Sequence, residues 1–259
     1  MLKVLKARFI QGYRTGKFPT HAPPQLPDRF RGLPRIEPEK CSAGCGACAE
    51  VCPSDAIVLQ DGKPVLDLGK CIFCGKCEKA CASKAIAFTD YYRLGAIKRE
   101  TLLLRGQEFP LEVQEDSAVK QLFGRSLKIR QVSAGGCAAC ELDFNVLNTL
   151  AWDMGRFGIQ AVASPRHADC LLVTGPVTNN MLLALKKTYA AVPKPSMVIA
   201  CGACAISGGL YASHPETRGG LENILKVDLY IPGCPPHPST LLDAILRLMG
   251  KKWPLHEIR

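Results

Sequence analysis

Fourteen cysteines, most of them in tight groups, offer the most chemistry in this chain of 259 residues. Two runs lie close together: Cys41, Cys45, Cys48 and Cys52, then Cys71, Cys74, Cys77 and Cys81. Further on, Cys137 and Cys140 sit in GGCAACELD, Cys201 and Cys204 in ACGACAISGG, and Cys234 in YIPGCPPHPS. Thiolates brought together in fours suit an iron–sulfur cluster or a structural zinc. A disulfide framework fits poorly, because the chain is long, shows no signal peptide and groups its cysteines at ligand spacing. A reducing compartment with metal centres is the expected setting.

The first two runs are an internal repeat. CGACAEVCPSDAI and CGKCEKACASKAI align at an offset of 29 residues, pairing Cys45 with Cys74, Cys48 with Cys77 and Cys52 with Cys81. The second run has the C-x2-C-x2-C-x3-C spacing of bacterial two-cluster ferredoxins, whose fourth cysteine crosses to the other cluster. The prediction is one 4Fe–4S cube on Cys41, Cys45, Cys48 and Cys81, and another on Cys71, Cys74, Cys77 and Cys52. Two departures stand out: Ser42, Ala43 and Gly44 widen the first gap, and Ala82 replaces the proline that follows Cys52. The extra residue calls for a wider turn with Gly44 at its flexible point. Zinc is the minor alternative metal.

The elements that must position the later cysteines follow from the apolar runs before them. LKIRQV, SMVIAC and VDLYIPG are short, rich in β-branched residues and bounded by Gly or Pro, so they read as buried strands. Helix-like segments at 141–154 and 181–191 separate them, which predicts a parallel α/β sheet with right-handed crossovers. Loops at the carboxyl ends of such strands converge on one crevice. SPRHADCLLVTGPVT (164–178) reads as a loop, a strand and a turn at that same edge, which would put Arg166 and His167 there as a subunit contact or loop-fixing pair. Cys170 reads as a buried small hydrophobe. CGAC leaves Cys201 and Cys204 both open as a ligand. Gly135, Gly136, Gly202 and Gly233 would let backbone amides approach the sulfurs. Glu141 opens a helix beside Cys140, either as a proton relay or as a carboxylate favoured by the helix dipole. His237, after GCPP, is placed to hydrogen-bond near a cluster, but the favoured reading is a surface-loop histidine.

Around these parts the sequence is less specific. Residues 1–20 form a basic amphipathic stretch, suited to an anionic membrane surface or a partner's groove, or else packed on the chain's own body. The prolines between 19 and 38 predict an extended strap without regular structure. From 89 the chain is mixed: Tyr91 and Tyr92 are expected to cover the cluster domain, and EVQEDS to be a solvated loop. The expected divisions are an arm and strap at 1–40, a two-cluster domain at 41–100, a connector at 101–125 and an α/β domain at 126–259. The formal net charge of +10 treats cysteines as neutral, so part of it compensates ligating thiolates. No aromatic-plus-basic array supports nucleic-acid binding, and no apolar stretch reaches membrane-spanning length.

GGCAACELD, SPRHADCLLVTGPVT, GACAISGG and YIPGCPP occur in one order across roughly 126–250, and together they resemble the small subunit of group 4 energy-converting nickel–iron hydrogenases. This is the formate hydrogenlyase type, homologous to the 20-kDa cluster subunit of complex I. DRFRGLP and CIFCGKCEKAC resemble the separate ferredoxin-like subunit of the same complexes, so the chain looks like a fusion of the two. The expected fold is α/β, a flavodoxin-like parallel sheet domain preceded by a bacterial-type two-cluster ferredoxin (α+β) domain.

The resemblance implies a proximal 4Fe–4S cluster on Cys137, Cys140, Cys204 and Cys234, with Cys201 at a non-ligand position, and hence three 4Fe–4S clusters. It implies electron transfer to or from a NiFe site in a separate large subunit. Other redox subunits or a ferredoxin-type donor, and integral membrane subunits, are the further partners. The complex I homologue has adjacent cysteines at the first site; here Ala138 and Ala139 intervene, which favours the hydrogenase side. No twin-arginine signal appears, so a peripheral place on the cytoplasmic face of the cell membrane is expected. The chain lacks the paired C-x2-C motifs of a large subunit and is expected to be inactive alone. Two rivals remain: a complex-I-like subunit without nickel, passing electrons to quinone or a sulfur compound, and a soluble ferredoxin-type carrier with a zinc-stabilised binding domain.

Overall fold

The computed structural model describes residues 2–12, 15–19, 26–42 and 44–252. The N-terminal helix α1 (Leu2–Gln11) buries none of its residues, and Leu2 and Phe9 are 84% and 88% exposed. Packing of this helix on the chain's own body is therefore ruled out. The chain makes contact just after it, where Phe18 is buried between Tyr92 and Trp152 and the Gly16 N–H donates to Ala151 O at 3.0 Å. The strap is regular at one end: β1 (Pro34–Ile36) is a short strand, contrary to the proline-based expectation. Proline is tolerated there because it is the strand's first residue. Part of the strap, residues 20–25, lies outside the described residues.

The cysteine repeat folds as two matching halves. The first contains α2 (Ala47–Glu50), β2 (Ile57–Gln60) and β3 (Lys63–Asp67); the second contains α3 (Lys76–Ala80) and β4 (Ile86–Phe88). β1 and β4 pair antiparallel, and β2–β3 is an antiparallel hairpin extended by β5 (Leu103–Leu104). Asp67 anchors this hairpin through a bidentate bond with Arg99, at 2.8 and 2.6 Å. Asp116 then caps α4 (Ser117–Phe123), accepting the Ala118 N–H at 2.8 Å.

The second half of the chain builds the parallel sheet from β6 (Leu127–Ser133), α5 (Ala139–Val146), β7 (Ile159–Ala161), β8 (Cys170–Thr174), α6 (Asn179–Ala190), β9 (Met197–Cys201), α7 (Ala203–Ser207), β10 (Leu229–Ile231) and α8 (Pro238–Leu248). The spatial order is β10-β9-β8-β6-β7, all parallel, which is the flavodoxin order with its switch point between β6 and β8. The expected helix 141–154 stops at Val146. Thr149 Oγ1 donates to Val146 O at 2.8 Å and Asn148 Nδ2 to Asn145 O at 3.4 Å, taking carbonyls that a continuing helix needs.

Strand alternation divides the core into two layers. Leu172, Ile199 and Ile231 face α5 and α8, together with Phe144, Leu241 and Ile245. Leu171, Val173, Val198 and Tyr230 face the other way and share one core with Ile57, Leu66, Leu68 and Leu102 of the cysteine repeat. The repeat is thus packed onto a sheet face by burial of apolar side chains, each contributing about 1.5–3 kcal/mol. The open edge at β10 is covered by the stretch after β4, where Ala96 and Tyr230 exchange two backbone bonds at 2.9 and 2.8 Å.

That stretch corrects two expectations. Tyr92 packs in the α5–α8 layer instead of covering the cysteine repeat. The acidic run is not simply solvated, since Glu112 accepts from Ile97 N–H, Lys98 N–H and Thr101 Oγ1. A buried charge cluster adds to this anchoring. Asp243 of α8 accepts from Arg93 Nε and Arg247 Nε, both at 2.8 Å, and Arg247 also donates to Glu112 O and Gly95 O. Replacing Asp243 by Ala would strand two buried guanidinium ions, at an expected cost of about 3–5 kcal/mol. Anaerobic denaturant unfolding should show the lowered midpoint; an unchanged midpoint would refute the anchoring role.

Candidate metal centres

The last rung of the sheet sets the site. Ser133, Thr174, Cys201 and Ile231 stand level across β6, β8, β9 and β10, and the chain leaves each strand there. Backbone bonds lock these exits: Ala134 N–H to Thr174 O (2.8 Å), Thr178 N–H to Ala134 O (3.0 Å), Gly202 N–H to Ile231 O (2.8 Å) and Ala203 N–H to Gly233 O (2.9 Å). Cys137 and Cys140 lie in the first exit, Cys204 in α7 of the third and Cys234 in the fourth. Ala138, between the first two, adopts φ +69°, a left-handed turn that costs a residue with a Cβ about 1 kcal/mol. That turn caps α5 and aims Cys137 and Cys140 together.

The four thiols meet. Cys204 is pushed up to about 12 by burial and then by Cys234, Cys140 and Cys137, each of which it faces. The wall behind them is glycine. A Cβ on Gly202, at φ +88°, would lie 2.6 Å from Cys140 Sγ, and one on Gly209 would lie 3.1 Å from Cys204 Sγ. Gly135 and Gly136 instead pack against Thr178 and Gly175, so their role is in the turn. Cys201, at the strand end, is fully buried; its hydrogen-bonded contact with Cys140, followed by burial, keeps it a thiol. Cys170 is likewise buried within β8, where burial holds its thiol neutral.

The repeat gathers its cysteines across its two halves. Cys52, Cys71, Cys74 and Cys77 line one small cavity with Ile57, Leu66 and Phe88. Burial and then the neighbouring thiols push Cys71 up to about 12 and Cys77 to about 11. In the other group Cys48 is raised by burial first, then by Cys41 of its own half and by Cys81, which crosses from the other half of the repeat. For Cys81 burial works upward but is outweighed by hydrogen bonds from Ser83 and from the Ala85 N–H, which lies at 3.1 Å, so the thiol is lowered. Ala56 N–H donates to Cys52 Sγ and Phe73 N–H to Cys71 Sγ, both at 3.3 Å. Gly44 takes φ +74° in the widened first turn; Ala43 lies outside the described residues.

An all-sulfur donor set, amides aimed at sulfur and glycine walls are what a 4Fe–4S cube requires, so the residues fit that group. Among the described residues no three His, Cys, Asp or Glu side chains are set to hold a single metal ion. A cube takes one thiolate at each iron, so its ligands stand wider apart than those of one ion.

Other predicted residues fall differently. Glu141 lies in the first turn of α5 and accepts from Thr174 Oγ1 at 2.7 Å, with Gln131 Nε2 behind it at 3.3 Å from that oxygen. Arg166 and His167 are not at the cysteine edge: they precede β8 and lie toward the strands' opposite end. The loop reading of 164–178 placed them on the wrong side because it did not separate the entry of a strand from its exit. His237 is no free surface histidine. It caps α8, accepting the Ser239 N–H at 3.2 Å, packs edge-on to Phe30 and Trp152, and is lowered by burial. Sequence reasoning missed Thr174 and Gly209; the Gly208–Gly209 pair just beyond Cys204 was the available signal for the latter.

Two separate parts of the chain are similar to known families. The family model described as NADH ubiquinone oxidoreductase, 20 kDa subunit, matches residues 137–248, and the 4Fe–4S dicluster domain matches residues 31–86. A probable membrane-bound hydrogenase subunit of Pyrococcus furiosus is 41% identical over 131 residues, covering 51% of this chain and 78% of its own length. An NADH-quinone oxidoreductase subunit of Citrifermentans bemidjiense is 43% identical over 116 residues, covering 45% and 68%. Among solved structures, one described as a membrane-bound sulfane sulfur reductase, an archaeal respiratory membrane complex, overlays with a TM-score of 0.45 and 35% identity, covering 51% and 73%; so low a score carries no functional weight.

The raised thiols give a test in metal-free protein. Cys71 and Cys204, near 12, hold only about one part in ten thousand thiolate at pH 8, and that fraction grows about tenfold per pH unit. Alkylation followed by mass spectrometry should label the exposed Cys45 and Cys137 first, with Cys71 and Cys204 catching up as pH rises. Equal rates at pH 8 would show that the thiols are not held together without metal.

Proposed function

We propose, since the chain belongs to the family of the NADH ubiquinone oxidoreductase 20 kDa subunit, that it is the iron–sulfur electron-transfer subunit of a membrane-bound hydrogenase or complex-I-like oxidoreductase. In this reading Cys41, Cys45, Cys48 and Cys81 hold one 4Fe–4S cluster, Cys52, Cys71, Cys74 and Cys77 a second, and Cys137, Cys140, Cys204 and Cys234 a third. When bound, the clusters supply one-electron redox chemistry at low potential.

The observation that carries the reading is the joint between the second and third sets. Ser207, in the helix of Cys204, donates to Gly69 O at 2.9 Å, two residues before Cys71. Ile72 and Phe73, between Cys71 and Cys74, share a cavity wall with Gly233 and Cys234. In the set containing Cys41, Cys45 is exposed and Cys48 buried. In this reading the second set stands between the other two, and the sheet-edge set is the terminal one. Exposed Cys137 and Cys234 mark the face for a large subunit carrying the reacting centre. Among the described residues no helix is long and apolar enough to cross a membrane. Integral partner subunits are part of this reading because the relatives belong to membrane-bound complexes.

The finer assignment is a hydrogenase of the formate hydrogenlyase type, on the cytoplasmic face, with a NiFe large subunit and a ferredoxin-type or other redox donor. The Ala138–Ala139 gap and the hydrogenase relative support it; the quinone-reductase relatives support the rival without nickel. Glu141 is its proton station, held by the hydrogen bond that Thr174 Oγ1 donates to one of its carboxylate oxygens.

Anaerobic purification with native partners and metal analysis tests the reading. About twelve irons per copy of this chain are expected once other cluster subunits are subtracted, with nickel and H2-dependent dye reduction for the hydrogenase assignment. Twelve irons without nickel or H2 activity would move the complex to the quinone or sulfur branch; eight with zinc would sink the third set. In the same complex Gly202→Ala should cost about four irons, because its Cβ would press on Cys140 Sγ. Glu141→Gln should slow H2 turnover at least about tenfold while leaving dye-driven cluster reduction unchanged; equal loss of both would remove the proton role.

A further inference from the structure

The DRFRGLP motif is not accounted for by cysteine ligation, yet it lies where two of the sets adjoin. Arg31 reaches from the strap onto the Cys74–Cys77 turn. A Cβ placed on Gly75 would come within 2.6 Å of Arg31 Nε and 3.1 Å of its Cζ. Gly75 is buried even though it heads a short surface helix, because this side chain lies over it. Its left-handed φ of +74° and missing side chain are what let the guanidinium approach the thiol turn.

Arg31 also lines the cavity between the modules, together with Ile72, Phe73 and Cys234. Among the described residues no carboxylate pairs with it, in contrast to Arg93, Arg99 and Arg247, each of which has its Asp. Its neighbour Arg29 lines the same cavity but is exposed. An uncompensated cation in a half-buried seam interacts with nearby charge far more strongly than one in open solvent. A thiolate-bound cube gains negative charge on reduction, and a cation beside it favours the more negative form.

We propose that Arg31 is a positioning residue for electron flow, which raises the reduction potential of the cluster held by Cys52, Cys71, Cys74 and Cys77 and so favours residence of the electron beside the sheet-edge set. This rests on the reading that those four cysteines hold a 4Fe–4S cube. A purely structural alternative exists, in which the side chain only covers Gly75, and the experiment separates the two.

The anaerobically purified complex is titrated potentiometrically with detection by electron paramagnetic resonance, alongside iron analysis, for wild type, Arg31→Gln, Arg31→Lys and Arg29→Gln. Arg31→Gln should lower the reduced-to-oxidised ratio of that cluster on the order of tenfold at fixed potential, or about 59 mV for a one-electron couple. Arg31→Lys and Arg29→Gln should stay within about threefold of wild type. A full iron complement with an unshifted Arg31→Gln titration overturns the proposal, as does an Arg31→Lys shift as large as that of Arg31→Gln. If Arg31→Gln loses iron, Arg31→Met, which keeps the stem over Gly75, is titrated instead and must show the same drop. Iron loss in both neutral variants but not in Arg31→Lys supports the charge; loss in all three overturns it. A wild-type complex without this cluster would refute the underlying reading, which the iron count reveals separately.

Discussion

Thiols crowded in fours resist becoming thiolates, and the rest of the structure is arranged to hold them together in spite of that. Burial and mutual repulsion keep Cys71, Cys77 and Cys204 protonated far above ordinary cysteine values. Only a cationic core would reverse this, so the free energy of binding such a core is partly that of ionising the thiols. The scaffold must therefore be rigid before anything binds. At the sheet edge four strands end on one rung and backbone bonds tie the exits together, which favours such rigidity.

The same economy of space joins the two modules. One face of the parallel sheet shares its core with the cysteine repeat, so the thiol sets are spaced by packed side chains instead of by a flexible linker. Asp243, holding Arg93 and Arg247, fixes the intervening stretch to α8. Close-packed interiors transmit small shifts poorly tolerated by either side. That stiffness suits a proposed line of electron carriers, whose separations have to stay constant.

Charge follows the same logic. The basic excess of the chain is not spread evenly: some arginines are paired with aspartates, whereas among the described residues Arg31 meets no carboxylate and lies on a thiol turn. If twelve cysteines ligate as proposed, cations at the seams between the sets offset their charge, and the strap delivers one there.

Much of this was legible in the sequence. The repeat of cysteine spacing determined the crossing of Cys52 and Cys81, because a one-dimensional pattern of close ligands constrains loops that are only a few residues long. Apolar runs ending in Gly or Pro likewise determined the strands and the edge at which Cys137, Cys140, Cys204 and Cys234 meet. What tertiary structure alone decided depends on contacts between residues distant in sequence. Arg166 and His167 went to the opposite end because strand entry and exit look alike in a linear pattern. His237 became a buried cap through Phe30 and Trp152, Tyr92 joined the far core layer, and Arg31 met Gly75 across the strap. Local spacing specifies short loops, whereas which face an intervening segment covers is set by long-range packing that no local pattern records.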